Sequence, residues 1–146
     1  VVCAGISDPG NLGTIIRTAA AAGASAVITT TGSADLFGGK CIRSTVGTFT
    51  KIALLGPFPD GEVISHLKSS AIPILATTGS GMNLLSDNKV GSVLAGAHAW
   101  VFGSEAHGLS HVWLDSADVP VRIPMAAGVE SLNAASAAAI CLFAQQ

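Results

Sequence analysis

The chain contains no tyrosine, and charged residues make up only 11% of its 146 positions. Seven Lys and Arg against nine Asp and Glu leave a net charge of −2. Net charge alone therefore provides no diffuse grip on nucleic acid or an anionic membrane. So few charges beside 49% hydrophobic residues also exclude a disordered acidic or basic chain. The three cysteines, Cys3, Cys41 and Cys141, are odd in number, far apart and in no metal-ligand spacing. Neither a disulfide framework nor a metal site is expected from them, and a reducing, cytoplasmic setting is. No uninterrupted apolar stretch reaches the roughly 18 residues of a membrane span. The opening Val1-Val2-Cys3-Ala4 has no basic flank of the kind that begins a signal peptide. An initiator methionine is missing too, so an N-terminal region is expected outside this chain.

What is abundant is small: 24 alanines and 17 glycines, suited to close helix packing and frequent turns. The length fits one domain with a proper core. Short apolar runs alternate with helix-like stretches. Strands are expected at 1–6, 26–30, 52–55, 72–77, 100–102 and 119–123. Helices are expected at 12–22, 40–46, 61–69 and about 131–144, the last favoured by its alanine content. This alternation predicts a single α/β domain over 1–146, with a mainly parallel sheet covered by helices on both faces.

The charge is unevenly distributed. Residues 1–51 hold Arg17, Lys40, Arg43 and Lys51 against Asp8 and Asp35, whereas the remainder holds three cations against seven acids. If phosphate is bound, the first third is the expected place.

Parallel α/β sheets bind ligands where strand ends hand over to helices, and three such loops are rich in glycine and polar residues. The first, Asp8-Pro9-Gly10-Asn11-Leu12-Gly13, leads into a helix carrying Arg17. Its glycines permit close backbone approach, and the helix start is expected to offer N–H groups to an anion. The second is Phe102-Gly103-Ser104-Glu105-Ala106-His107-Gly108-Leu109-Ser110. A glycine-bracketed Glu105 suits the orientation of a substrate or loop better than a core role. The third runs from Ile123-Pro124-Met125 to Gly128-Val129-Glu130-Ser131-Leu132-Asn133. There Ser131 is the expected helix cap, and Asn133 offers a ligand both a donor and an acceptor.

Other signatures are missing. The stretch from Gly32 to Lys40 lacks P-loop spacing, and Cys41 stands where Ser or Thr is required. No Gly-x-Gly-x-x-Gly follows the first strand, which disfavours a nicotinamide dinucleotide. His107 and His111, with Glu105 near, have no adjacent further ligand for a metal. There is no Gly-x-Ser-x-Gly elbow.

Taken together, the three loops resemble the signature motifs of the SpoU/TrmH branch of the SPOUT RNA methyltransferases. The matches are Asn11-x-Gly13-x-x-x-Arg17, then Phe102-Gly103-Ser104-Glu105-x-x-Gly108-Leu109-Ser110, then Ile123-Pro124-Met125 with Glu130-Ser131-Leu132-Asn133. Arg43-x-Thr45-x-Gly47 beside Lys40 is a minor further match. The resemblance spans Asp8 to Phe143 in the family's order. Ala106 replaces a frequent glycine, Thr78 a common aspartate, and Ala134-Ala135-Ser136 bulkier residues.

The resemblance implies a ribose 2′-O-methyltransferase using S-adenosylmethionine, acting on rRNA or tRNA with rRNA slightly favoured. It implies a parallel α/β sheet whose C-terminal part forms a deep trefoil knot. It assigns cofactor binding to Thr77, Gly79, Phe102, Gly103, Glu105, Ile123, Met125, Ser131 and Leu132. Catalysis falls to Arg17, Asn11, Glu105, Ser131 and Asn133, and RNA contact to Arg17, Lys40, Arg43 and Lys51. Family members act as homodimers, with Arg17 and Asn11 of one subunit completing the other's pocket. An N-terminal RNA-binding domain commonly precedes this region. The alternative is a non-catalytic cofactor- or RNA-binding module of the same fold.

Overall fold

The computed structural model describes residues 1–84, 86–104 and 106–144. Six strands form one sheet: β1 (Val2–Ala4), β2 (Ala26–Thr30), β3 (Ala53–Phe58), β4 (Ile74–Asn83), β5 (Ala99–Gly103) and β6 (Val119–Arg122). Their order across the sheet is β3-β2-β1-β5-β4-β6, and every neighbouring pair is parallel. The helices are α1 (Pro9–Ala21), α2 (Gly39–Ser44), α3 (Asp60–Ser69), α4 (Asn88–Leu94), α5 (His111–Ser116) and α6 (Ala134–Phe143), with a 3-10 turn at Thr48–Lys51.

The central strands are apolar without a break because both faces are covered. Successive side chains of a strand point to opposite faces. In β5, Trp100 and Phe102 join one core while Ala99 and Val101 join the other. β1 divides in the same way, Cys3 to the first core and Val2 and Ala4 to the second. The first core is completed by Leu12, Ile15 and Ile16 of α1, Cys41 of α2 and the small face Ala134, Ala135, Ala138 and Cys141 of α6. The second is completed by Val63, Ile64 and Leu67 of α3 and by Trp113 of α5.

Two helices, α4 and α5, were not anticipated from the sequence: both are short, and α4 carries a single fully buried residue, Val90. The last helix starts at Ala134 rather than Ser131, because Asn133 provides the cap. Its Oδ1 accepts from the N–H groups of Ala135 at 3.0 Å and Ser136 at 3.2 Å. The strand anticipated at 72–77 continues to Asn83, after a break in its pairing with β6 that shapes the site.

Candidate active site

β4 and β6 pair at Thr77–Val121, and again at Met82–Val121, so residues 78–81 bulge between two contacts with one partner residue. The strand can return to β6 because residue 81 is glycine. A Cβ there would stand 2.6 Å from backbone atoms of Pro120 and Val121, closer than atoms can pack. The bulge leaves Thr77, Thr78 and Gly79 facing a cleft at the C-terminal edge of the sheet. Thr77 is held by donating its hydroxyl to the Val101 carbonyl of β5 at 2.9 Å.

The neighbouring loop after β5 folds back on itself. Gly108 N–H donates to the Ser104 carbonyl at 2.8 Å, and Gly108 adopts φ +65°, a left-handed conformation that suits glycine. Gly103 lies so close beneath this return that a Cβ would collide with the backbone of Gly108 and Leu109. The third wall is the irregular segment from Ile123 to Asn133 after β6.

Together these segments enclose a cleft of about 370 Å³. Thr77, Gly79, Phe102, Gly103, Ile123, Met125, Ser131 and Leu132 all line it. Glu105 lies outside the described residues. Residues that sequence reasoning did not assign to the cofactor also line it, among them Thr78, Ser104, His107, Leu109 and Glu130. Ser104 and Leu109 stood within the second motif and were legible there; His107 fills one of its unspecified positions and gave no such signal.

A second cleft, about 270 Å³, shares Ser104 and His107 with the first and is otherwise lined by Gly5, Ile6, Ser7, Asp8, Asn11 and Ala106. Asn11 accepts a hydrogen bond from the Asn133 side chain at 3.1 Å across 122 residues of sequence, which fastens the first motif to the third. Asn11 is thus tied to Asn133 of its own chain.

The start of α1 behaves differently from the sequence expectation. Its N-terminal N–H groups do not face an anion site, because the Asp8 carboxylate caps the helix and accepts from Asn11 N–H at 2.7 Å. Asp8 also pairs with Lys40 at 3.1 Å. These two bonds, the backbone one first, hold the Asp8 carboxyl below its ordinary value. Gly13 serves packing: a Cβ would strike the Cys41 carbonyl of α2 and stand 2.6 Å from Ser44 Cβ. The helix pair α1 and α2 can approach this closely only with glycine at that place.

Arg17 is exposed on α1 and lines neither cleft. Arg43 on α2 and Lys51 at the end of the 3-10 turn are likewise exposed. The thiols are inert by burial: desolvation pushes Cys3 and Cys141 up to about 12, and raises Cys41 as well. Among the described residues, no helix is long and apolar enough to cross a membrane.

Comparison with known proteins agrees with this geometry. The 23S rRNA (guanosine(2553)-2′-O)-methyltransferase RlmP of Bacillus subtilis is 33% identical over 142 residues, covering 94% of this chain and 54% of that protein. The SpoU methyltransferase AviRb from Streptomyces viridochromogenes, solved in complex with the cofactor AdoMet, superposes with a TM-score of 0.89 at 29% identity, covering 99% of this chain and 57% of that one. An AdoMet-bound rRNA methyltransferase from Sinorhizobium meliloti gives a TM-score of 0.89 at 31% identity, covering 99% and 54%. The chain thus spans about half the length of the curated relatives it matches. The family model described as the SpoU rRNA Methylase family matches residues 1–143. The chain belongs to the SpoU rRNA methylase family.

Proposed function

We propose that the chain is the catalytic domain of an S-adenosylmethionine-dependent RNA methyltransferase that modifies a ribose 2′-hydroxyl, with rRNA the favoured substrate over tRNA. The observation that carries this reading is the convergence of the β4 bulge and the loops after β5 and β6 on one cleft, with a second cleft, lined by the first motif, adjoining it at Ser104 and His107. The relatives' names and the cofactor bound by AviRb support it.

The first cleft suits the cofactor. Phe102, Ile123, Met125 and Leu132 form an apolar slot for adenine, and a few placed polar groups beside such a slot give selectivity. Met125 and Leu132 remain 37% and 38% exposed, apolar surface that a bound ligand would cover. Thr77, Ser131 and backbone groups around Gly79 and Gly103 would supply hydrogen bonds, and the Glu130 carboxylate, also on the lining, would suit the ligand's ammonium. Glu105 keeps the orienting role implied by the resemblance. S-adenosylmethionine, when bound, supplies a methyl group already activated by a sulfonium.

The chain's own residues then have to hold the ribose in line and ease removal of a weakly acidic proton. We assign Asn11 and Asn133, fixed to one another, to orientation of the ribose, and give Ser131, on the lining of the first cleft, the same task. The Arg17 guanidinium offers donors and no acceptor; its part is to bind the adjacent phosphate and polarise the hydroxyl. Because Arg17 lies outside both clefts of its own chain, this role is met in a homodimer, where it reaches the neighbouring subunit's site. Ile140 and Phe143 of α6, 40% and 47% exposed, supply apolar surface for that contact. The same reading includes a C-terminal trefoil knot, action in the cytoplasm, and an N-terminal RNA-binding domain in the full-length protein.

Calorimetry tests the cofactor assignment. S-adenosylhomocysteine should bind the full-length protein and NAD should not. Binding of NAD with no response to S-adenosylhomocysteine would overturn the reading in favour of a dinucleotide enzyme.

A further inference from the structure

The two most exposed large apolar side chains among the described residues are Phe37, at 65%, and Val46, at 67%. They flank the short helix α2, which carries Lys40 and Arg43. Neither is exposed through looseness of its surroundings. Leu36, next to Phe37, is 2% exposed and sits in the first core. The loop holding Phe37 is fastened to the sheet edge by Ser33 Oγ donating to the Cys3 carbonyl at 3.0 Å and by Ala34 N–H donating to the Ile6 carbonyl at 2.8 Å. The turn itself is closed by Phe37 N–H donating to the Asp35 carboxylate at 2.9 Å. One side chain is thus drawn in and the next directed out. Val46 is held with φ +50°, a conformation a β-branched residue seldom adopts, and Gly47 follows at +83°.

Two cations stand on the helix between these apolar residues. The Arg43 guanidinium lies back over the first turn of α2, where a Cβ on Gly39 would stand 3.2 Å from Nη1. The Lys40 side chain crosses toward α1, its Cε 3.6 Å from where a Cβ on Gly10 would be, and its ammonium reaches Asp8 at 3.1 Å. Asp8 lines the second cleft, so the surface around α2 is continuous with the place assigned to the target ribose. The one carboxylate in the turn, Asp35, is engaged by the Phe37 backbone.

We propose that Phe37 is a stacking platform for a base of single-stranded RNA flanking the methylated nucleotide, with Lys40 and Arg43 on its phosphates and Val46 extending the apolar contact. Exposed aromatic rings among cations are how single strands are held without sequence selectivity, since every base offers a π-face. The surface therefore contributes affinity and sets the path of the strand into the second cleft, and leaves sequence choice to other contacts. This inference rests on the reading of the domain as an RNA-modifying enzyme.

The test uses the full-length protein, a 12-nucleotide oligoadenylate as probe, and the variants Phe37→Ala and Phe37→Trp. Phe37→Ala should weaken oligoadenylate binding about tenfold or more, as loss of one stacked base does. Phe37→Trp should bind within about twofold of the parent, and emission from the new indole should be quenched as RNA is added. Unchanged affinity in Phe37→Ala, together with unquenched emission in Phe37→Trp, overturns the proposal. So does a change in sedimentation of Phe37→Ala without RNA, which would place the ring against a second copy of the chain. S-adenosylhomocysteine titrated into the same samples keeps the two readings apart: failure of the parent to bind it counts against the cofactor assignment, whatever the oligoadenylate shows.

Discussion

The Asn133 side chain donates to Asn11 Oδ1 at 3.1 Å while its own Oδ1 caps α6 through Ala135 and Ser136. One residue thereby fixes the start of the last helix and locks the third motif to the first. Replacing Asn133 with Ala removes both functions and should cost about 1–2 kcal/mol of stability. Asn133→Ser keeps a good capping oxygen but is too short to reach Asn11. It should recover about half of that loss in a denaturant titration, while methyl transfer stays at least tenfold below the parent in both variants. Full activity in Asn133→Ser would show that the bridge to Asn11 has no part in positioning.

Gly103 supports the cleft by having no side chain. Gly103→Ala places a methyl against the backbone of Gly108 and Leu109 and must displace the loop that walls the site. Affinity for S-adenosylhomocysteine should fall at least tenfold by calorimetry. The matched control is Gly61→Ala in α3, where a Cβ meets nothing within 4 Å. That change should leave affinity intact and raise stability by about 0.4–1 kcal/mol.

A different glycine, Gly13, belongs to the family motif and yet touches no ligand cleft. Gly13→Ala should destabilise the fold by about 1–3 kcal/mol, as overpacking between helices does. The loss should appear in thermal unfolding with and without cofactor, since the clash is with Cys41 and Ser44 of α2.

Much of this was legible in the sequence, and the exceptions have physical causes. Alternating apolar runs announced the parallel sheet because burial of both strand faces leaves no polar alternation to confuse the pattern. The strand at 26–30 falls where expected, as Ala26–Thr30. The two loops after β5 and β6 that wall the cleft stood out as glycine-rich strand ends, whereas Thr77 and Gly79 were reached only through the family resemblance. What the sequence hid was local competition between groups. Asp8, two residues before Gly10, fills the helix terminus that an anion would otherwise use. Asn133 takes the capping role expected of Ser131 because its amide can also reach back to Asn11. The exposure of Phe37 depends on Leu36 being drawn into the core, which no local pattern separates from the reverse arrangement.

The buried thiols make stability depend on alkaline pH. Cys3 and Cys141 titrate near 12 in the folded chain, against an ordinary value of 9.0, and Cys41 is raised too. Above pH 9 the unfolded chain loses these protons while the folded chain keeps them, so stability falls as pH rises from about 9 toward 12. Cys3 and Cys141 each contribute up to about 1.4 kcal/mol per pH unit in that window, and Cys41 acts in the same direction. Denaturant titrations at pH 8 and pH 10.5 should show the decline, and Cys141→Ala should lessen its slope. At pH 8 a thiol reagent should label the native protein far more slowly than the protein in denaturant.

The most direct measurement is transfer of labelled methyl from S-adenosylmethionine to RNA by the full-length protein, with the products digested to nucleosides and resolved by mass. Label is expected on a ribose 2′-oxygen. Arg17→Ala should abolish transfer while affinity for S-adenosylhomocysteine stays near that of the parent, as the proposed function requires. Label on a base, or parental turnover in Arg17→Ala, would contradict it.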